Sequence, residues 1–426
     1  MTEVGASRGP VARGSMARVG TATALTALCG YAVIYLAARD LEPSGFSVFG
    51  VFWGAFGLVT GAANGLLQEA TREVRSASYV GDLVALGAAS EPGRARTHPL
   101  RVAALAGVAA AVVIAGSSPL WSERVFVEER WLSVALLSAG LAGFCVHATL
   151  LGMLAGTNHW TWYGALMVTD AVIRVTVAAA AVALGWGLTG FLWATVAGAV
   201  AWLIMLAASP TTRATARLLT PGGTATFLRG AGHSVTAAGA SAILVMGFPV
   251  LLKLTSSQLG AQGGVVILAV TLTRAPLLVP LTAMQGNLIA HFVDERNDRL
   301  RALIAPAGII ASIGAVGVLA AGAVGPWVLR VAFGSQYAAG GALLAWLTGA
   351  AVAIAMLTLT GAAAVAAALH RAYSLGWVGA TVAAGLLLLL PLPLEVRTVV
   401  GLLAGPLVGI GVHVVALSRV GRSTGE

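Results

Sequence analysis

The sequence predicts an all-α membrane protein whose helices cross the bilayer many times. Of its 426 residues, 58% are hydrophobic and only 10% are charged, and the mean hydropathy is +0.89. A soluble globular protein carries about 25% charged residues. Apolar runs of about 20 residues, long enough to cross about 30 Å of hydrocarbon as a helix, recur along the chain. The net charge of +9 then reflects basic residues in cytoplasmic loops rather than nucleic-acid binding.

About twelve spans are predicted, each an apolar run bounded by polar residues. The first six lie near 17–38, 46–68, 100–121, 131–154, 163–184 and 188–208. The next six lie near 229–253, 263–290, 302–324, 338–366, 374–393 and 397–418. The first run exceeds the core of a signal peptide, which is about 7–15 residues, and another apolar run follows at once. We therefore interpret it as the first transmembrane helix.

The basic residues predict that both termini lie in the cytoplasm. With the N-terminus inside, seventeen of the 25 lysines and arginines fall in inner segments and six in outer segments, as the positive-inside rule requires. The polar segment 209–228 divides the spans into six and six. The predicted order is a cytoplasmic tail (1–16), an N-terminal six-helix lobe (17–208), a cytoplasmic linker (209–228), a C-terminal six-helix lobe (229–418) and a cytoplasmic tail (419–426).

Two similar stretches suggest that the lobes are repeats. GLLQEATREVR (65–75) ends the second span and GNLIAHFVDER (286–296) ends the eighth, with glycine, leucine, an acidic residue and arginine at the same offsets. Repeats of six helices are a common plan among transporters, and their substrate binds where the halves meet.

Arg274 lies near the middle of the predicted eighth span, about eleven residues or about 16 Å from its outer end. A charge at the bilayer centre costs about 2.5–3.5 kcal/mol, and Pro276 and Pro280 each remove a helical hydrogen bond nearby. Arg274 either pairs with a carboxylate elsewhere in the bundle or lines a water-filled cavity and binds an anionic substrate. The prolines favour the cavity, because bent or loosened helix is tolerated there.

Asp170 and Arg174 lie in the fifth span at i,i+4, where the two side chains share a helix face and can pair. One interpretation is an internal ion pair that lowers the cost of burying both charges. The other makes Arg174 a second contact for an anion and Asp170 an ion-coupling group or gate.

Weaker candidates are amides, a carboxylate and histidines at or inside the spans, for which packing and ligand contact are both open. They are Asn64, Gln68, Glu69, Gln285, Asn287, His147 and His413. Cys29 and Cys145 both lie in apolar runs, so neither a disulfide framework nor a metal site is predicted. We find no catalytic, metal or cofactor motif and expect a transporter rather than an enzyme.

Three patches of sequence resemble a known family. YLAARDLEPSGFSVFGVFWGAF (35–56) joins the first two spans, TLTRAPLLVPLTAMQGNL (271–288) places Arg-x-Pro in the eighth, and VLRVAFGSQYAAGGALLAWL (328–347) leads into the tenth. With the six-plus-six layout, they resemble the polysaccharide-biosynthesis flippases of the multidrug/oligosaccharidyl-lipid/polysaccharide (MOP) exporter superfamily.

The resemblance implies two six-helix lobes around a cation-lined cavity in the bacterial plasma membrane. The substrate would be a lipid-linked anionic glycan, a saccharide on a polyprenyl pyrophosphate, moved from the inner to the outer leaflet. Arg274 would bind the diphosphate, with Arg39, Arg174 and Lys253 as further contacts along the path. Asn64 and Gln285 complete the predicted binding residues. We expect a monomer, with membrane lipids and glycosyltransferases or a polymerase of the same pathway as partners.

Three alternatives remain. A MATE-like multidrug antiporter of the same fold would exchange organic cations. Against it, the first span lacks a carboxylate, and the spans contain two arginines and only one aspartate, a balance that favours an anionic substrate. A membrane glycan polymerase or transferase would need a long catalytic outer loop, and the outer loops here are short. A scaffold without transport activity would leave the intramembrane arginines without a purpose.

Overall fold

The protein is almost entirely helical. The computed structural model describes residues 13–85, 96–295 and 299–423. The helices of the first half are α1 (Arg13–Asp40), α2 (Pro43–Ala85), α3 (Pro99–Val125), α4 (Arg130–Gly156), α5 (Trp160–Leu184), α6 (Gly187–Ala197), α7 (Ala201–Ala208) and α8 (Pro210–Ala216). Those of the second half are α9 (Thr224–Val245), α10 (Phe248–Leu254), α11 (Gly260–Asp294), α12 (Arg299–Ala302), α13 (Ile304–Phe333), α14 (Gly341–Ala366), α15 (His370–Leu388) and α16 (Leu394–Ser423). Strands β1 (Arg96–Thr97) and β2 (Thr220–Pro221) pair antiparallel.

The predicted fold class is confirmed. Within the described residues, ten helices are long and apolar enough to span a membrane, and the bent pair α9–α10 makes an eleventh. Each of these coincides with one of the about twelve predicted spans. The remaining predicted span, 374–393, corresponds to α15, which is not among these membrane-spanning helices. That helix is 19 residues long, and it begins with the polar pair His370 and Arg371.

Two predicted spans are broken. A 3₁₀ turn over Gly198–Val200 separates α6 from α7, and a 66° bend separates α9 from α10. The second break lies at Met246 and Gly247, directly before Pro249 in the first turn of α10. Because proline has no N–H to give to the preceding turn, the α9 helix cannot continue unchanged through this position.

The helix contacts are mostly made within each half. In the first half α1 packs on α5, and α4 packs on α2 and α3. In the second half α14 packs on α11, α13 and α16, while α15 packs on α16. The described helices thus fall into two groups on either side of the segment 209–228, although the exact lobe boundaries and the membrane orientation stay predictions.

Equivalent turns occur in the two halves. Asn158 joins α4 to α5 with a φ of 59°, and Ala368 joins α14 to α15 with a φ of 58°. In the first turn His159 N–H donates to Leu154 O at 2.8 Å, and the corresponding N–H in the second donates to Ala364 O at 2.9 Å. Left-handed backbone is unfavourable for alanine, so its presence at the matching position supports the predicted repeat.

Helix α2 joins the halves through a stripe of glycines. Gly57, Gly61 and Gly65 follow each other at four-residue spacing and face α9. A Cβ on Gly65 would overlap the backbone of Val235. Helices approach this closely only where small residues expose the backbone, as at many interfaces between membrane helices. The stripe therefore sets the separation of α2 and α9.

We predict that Gly65→Ala lowers the stability of the folded protein by about 1–3 kcal/mol, because the added methyl forces two helices apart. Gly116→Ala is the control, since a Cβ there meets open space and alanine favours helix by about 1 kcal/mol. Melting temperatures of the two purified variants measure the difference. Equal melting temperatures would contradict the proposed tight α2–α9 contact.

The inside orientation of the termini predicts a labelling pattern. In a variant with Cys29 and Cys145 replaced by alanine, Glu128→Cys lies between α3 and α4 on the outer side, and Ala214→Cys lies in α8 on the inner side. Both positions are exposed. A membrane-impermeant maleimide should label intact cells carrying Glu128→Cys and leave Ala214→Cys unlabelled until the cells are broken. The reverse pattern would invert the topology.

Candidate functional site

A cavity of about 830 Å³ lies where the two halves meet. Helices α1, α2 and α5 form one wall, and α9, α10 and α11 form the other. Ligand sites typically enclose about 300–1,000 Å³ and combine an apolar lining with a few polar groups. This lining has that character, so the cavity is the candidate substrate site.

Aromatic side chains close the cavity at the end that the topology places outside. The Tyr337 hydroxyl donates to the Leu41 carbonyl oxygen at 3.0 Å, and its ring meets Phe46 edge-on at 5.8 Å. Tyr35 and Phe333 add an edge-on pair at 5.6 Å. At the opposite end the lining residues Gly20 and Gln68 are exposed. With the predicted orientation, the cavity is closed outward and open inward.

Arg274 of α11 binds the broken end of α9. Its Nη1 donates to the carbonyl oxygens of Val245 at 3.1 Å and Leu244 at 3.4 Å, and its Cζ lies 5.2 Å from the centre of the Phe248 ring. The last carbonyls of a helix lack intrahelical partners and carry partial negative charge, which a nearby cation stabilises. Arg274 thus caps α9 where the helix breaks.

The capping contact replaces the ion pair of the first sequence-based interpretation of Arg274, whereas the cavity of the second is present. Within the described residues no carboxylate pairs with the guanidinium, so the expected ion pair is replaced by backbone carbonyls. The side chain also lines the cavity, although only 8% of the residue is exposed. Its Nη2 has no hydrogen-bond partner in the described part of the chain. Because that nitrogen has almost no accessible surface, a ligand in the cavity reaches it only after the side chains that cover it move.

The prolines do not break the helix that carries Arg274. Helix α11 is continuous from Gly260 to Asp294 through Pro276 and Pro280. The broken backbone that Arg274 reaches lies in the neighbouring pair α9–α10.

Asp170 and Arg174 form an internal ion pair. The guanidinium Nε and Nη2 each donate to one carboxylate oxygen at 3.0 Å, and the two side chains are only 13% and 14% exposed. Nη1 donates to the Thr195 carbonyl oxygen at 2.6 Å, near the break between α6 and α7. Gly198 leaves the space that the pair occupies. Neither charged residue lines the cavity, and an ion-coupling role for Asp170 stays a prediction.

The other predicted binding residues are spread through the fold. Asn64 lines the cavity. Arg39 is exposed at the end of α1, and Lys253 is buried with its Nζ 3.5 Å from the Ser257 carbonyl oxygen. Gln285 lies in α11 among residues whose side chains are not described. The cavity therefore brings together Arg274 and Asn64 and leaves Arg39, Arg174 and Lys253 outside its wall.

The two buried histidines lie away from the cavity wall, one fixed by polar contacts and the other by ring stacking. His413 has its Nδ1 3.0 Å from Thr360 Oγ1 and its Nε2 3.2 Å from the Tyr373 carbonyl oxygen. His147 stacks on Phe144 with ring centres 5.4 Å apart. Neither contributes to the lining.

Sequence reasoning missed the aromatic wall of the cavity. Trp160 and Tyr163 of α5 line it, with their rings edge-on at 5.7 Å, and Trp53 of α2 and Tyr31 of α1 line it as well. The signal was the i,i+3 spacing of Trp160 and Tyr163, which places both on one helix face. That spacing occurs equally in lipid-facing helices, so it did not distinguish a cavity from the bilayer.

Two proteins of Mycobacterium tuberculosis strain ATCC 25618 / H37Rv, both described as uncharacterised, are similar to this chain over nearly its whole length. Rv3630 is 79% identical over 415 residues, which cover 97% of this chain and 94% of the relative. Rv1510 is 72% identical over 422 residues, covering 98% and 96%. The chain belongs to their family. No family model matches the sequence.

The fold of this family is that of the MATE transporters of the MOP superfamily. A multidrug resistance MATE family transporter in an inward-facing conformation has a TM-score of 0.68 at 17% identity, over 95% of this chain and 98% of the other. A multidrug resistance MATE family transporter in an outward-facing conformation has a TM-score of 0.62 at 16% identity, over 95% of this chain and 96% of the other. A MOP superfamily transporter from Pyrococcus furiosus, whose binding pocket is described as having reverse polarity, gives 0.63 at 16% identity, over 95% of both chains.

The buried ion pair predicts a strong asymmetry between single and double substitutions. Asp170→Ala should destabilise the protein by about 3–5 kcal/mol, because it leaves Arg174 buried without its partner. Replacing both residues, with Asp170→Ala and Arg174→Leu, should recover most of that loss. Melting temperatures and detergent-extracted yields measure both effects.

The matched control for this pair is Glu123→Ala. The Glu123 side chain is 81% exposed and lies 3.7 Å from Arg130, and exposed pairs contribute at most about 1 kcal/mol. If the Asp170→Ala variant is as stable as this control, the pair does not support the fold.

Proposed function

We propose that this protein is a flippase of the bacterial plasma membrane, which moves a polyprenyl-pyrophosphate-linked saccharide from the inner to the outer leaflet for cell-envelope glycan synthesis. The observation that carries the proposal is the electrostatic state of Arg274. This cation lines the central cavity, has no carboxylate partner among the described residues, and keeps one nitrogen unpaired.

A phosphate group supplies what Arg274 lacks. A cation at the membrane centre costs about 2.5–3.5 kcal/mol, and the α9 carbonyls offset this with partial charges only. A bound phosphate oxygen would accept from Nη2 in a charge-assisted hydrogen bond, once the side chains that cover this nitrogen move aside. Because the guanidinium is already fixed by Val245 and Phe248, it loses little conformational freedom when the ligand binds.

The fold and its conformation support a transporter. Proteins of this architecture include MOP superfamily transporters in inward-facing and outward-facing states. The TM-score is higher for the inward-facing state, 0.68 against 0.62, in agreement with the aromatic closure of the outer end. A flippase would accept its substrate from the inner leaflet in such a state.

The remaining predicted contacts fit a path through the protein. Arg274 and Asn64 would bind the substrate in the present conformation, since both line the cavity. Arg39 at the end of α1 and Lys253 at the end of α10 lie on the predicted outer side, so they would meet the diphosphate as the cavity opens outward. Arg174 donates to Asp170 and to the Thr195 carbonyl oxygen, so it would influence the substrate only indirectly, through its ion pair with Asp170. Glycosyltransferases or a polymerase of the same pathway are the proposed partners.

The second candidate function is a MATE-like multidrug antiporter. The fold likeness to a multidrug resistance MATE family transporter favours it, and so does the aromatic lining, because aromatic faces attract organic cations. The positive charge of Arg274 in the same wall disfavours a cationic substrate. A MOP transporter with a pocket of reverse polarity is already known in Pyrococcus furiosus.

We predict that Arg274→Gln separates the two functions. Glutamine has no charge and is shorter than arginine, so its amide reaches the α9 carbonyls less well; we expect a folded variant with a modestly lower melting temperature. Flipping of a fluorescent lipid-linked saccharide in vesicles should fall about 10–100-fold, because a hydrogen bond to a charged group contributes about 1.5–3 kcal/mol. Arg274→Lys should retain part of the activity, since lysine keeps the charge but loses the planar fork.

Arg330→Gln, at an exposed position at the end of α13, is the control and should flip normally. A stable Arg274→Gln variant with normal flipping would contradict the proposed role. Transport of a cationic dye by wild-type vesicles that do not flip the glycolipid would establish the antiporter instead.

A further inference from the structure

We propose that the inner end of the cavity is a saccharide-binding subsite, built from Trp160 and Tyr163 of α5 and from Asn64 and Gln68 of α2. The proposal rests on the proposed function and adds to it the place where the sugar is recognised. Arg274 would hold the phosphate in the middle of the membrane, and these four side chains would bind the sugar rings nearer the cytoplasm.

Two hydrogen bonds bring these elements to one end of the cavity. Arg18 Nη1 of α1 donates to Thr161 Oγ1 at 3.0 Å, directly beside Trp160. Arg75 Nη2 of α2 donates to Asn158 Oδ1 at 2.5 Å in the turn before α5. The start of α5 therefore lies beside the part of α2 that is about two turns beyond Gln68. All four proposed subsite residues line the cavity.

The aromatic pair has the geometry of a sugar platform. The Trp160 and Tyr163 rings meet at 65° with their centres 5.7 Å apart, and both side chains are only partly buried. A pyranose ring presents a face of C–H groups, which packs on the electron-rich face of an aromatic ring. Tryptophan and tyrosine also combine a large apolar surface with a polar edge, which suits a ligand of mixed polarity.

The two amides supply the directional contacts that sugar hydroxyls need. Asn64 and Gln68 are at i,i+4 and so lie on one face of α2. Neither makes a side-chain hydrogen bond within the described residues, whereas Arg75, about two turns further along, is engaged. Each amide offers two donors and a carbonyl acceptor, and a sugar hydroxyl both donates and accepts.

The spacing fits a phosphate-linked sugar. From Arg274 to Thr282, the last residue of α11 in the cavity lining, the helix advances about 12 Å. A phosphate at Arg274 and a sugar at the inner end would therefore lie within one connected volume, with the polar headgroup filling it lengthwise. An organic cation would use the aromatic pair but gain nothing from Arg274.

The experiment compares two lipids that differ by one sugar and by the negative charge that the phosphodiester link to the sugar removes. Farnesyl diphosphate and farnesyl diphosphate carrying one hexose are titrated into the full-length protein in lipid nanodiscs, and the two Kd values are measured. The wild type should bind the hexose-bearing lipid at least tenfold more tightly. Trp160→Ala and Gln68→Ala should bring the ratio of the Kd values close to one and leave the Kd for plain farnesyl diphosphate unchanged.

Two further variants make the result specific. Trp193→Ala removes an exposed tryptophan outside the cavity and should keep the tenfold preference, and Trp160→Phe should restore part of it. Equal affinity of the wild type for both lipids, or a full preference in Trp160→Ala, would overturn the subsite while leaving the flippase proposal intact. Binding of neither lipid, or of a quaternary ammonium dye alone, would overturn both.

Discussion

The interaction on which the interior depends is the hydrogen bond from a buried guanidinium to the carbonyls at a helix end. Arg274 makes it to α9, and Arg174 makes it to the Thr195 carbonyl near the end of α6. Arg397 makes it to the carbonyl oxygens of Thr255 and Leu388, which end α10 and α15, at 2.8 and 3.0 Å. Broken helix is costly in a membrane unless its freed carbonyls find donors. Each arginine thus satisfies carbonyls at a helix end, and for Arg274 and Arg174 that end lies at a break inside a predicted span.

The difference between two of these arginines gives the cavity its charge. Arg174 stacks near Phe56 with its Cζ 5.4 Å from the ring centre, much as Arg274 does near Phe248 at 5.2 Å. Arg174 also has the full negative charge of Asp170 beside it, so its site is neutral. Arg274 has only backbone dipoles, so its site keeps a net positive charge in a low-dielectric wall. Coulombic attraction of an anion is strongest in such surroundings.

The sequence was sufficient for those features that depend on hydrophobicity and chain length. It predicted the polytopic helical fold and the possible pairing of Asp170 with Arg174 on one face of α5. It was insufficient for the backbone partners of the arginines, because a carbonyl freed by a break at Gly247 has no side-chain signature. The cavity wall of Trp160 and Tyr163 was equally hidden, since aromatic residues facing lipid and those facing a cavity have the same composition and period.

At the closed end of the cavity, one hydrogen bond to a backbone carbonyl oxygen joins the two halves. Tyr337 precedes α14 in the second half, while Leu41 lies in the turn between α1 and α2 in the first. At the same level Gly264 of α11 packs directly against the backbone of Pro43, so this end has no room for a ligand. Beside the cavity, the glycine stripe of α2 contacts α9. In the proposed transport cycle, opening outward would require the Tyr337–Leu41 hydrogen bond to break, because that contact joins the two halves just before α2 begins.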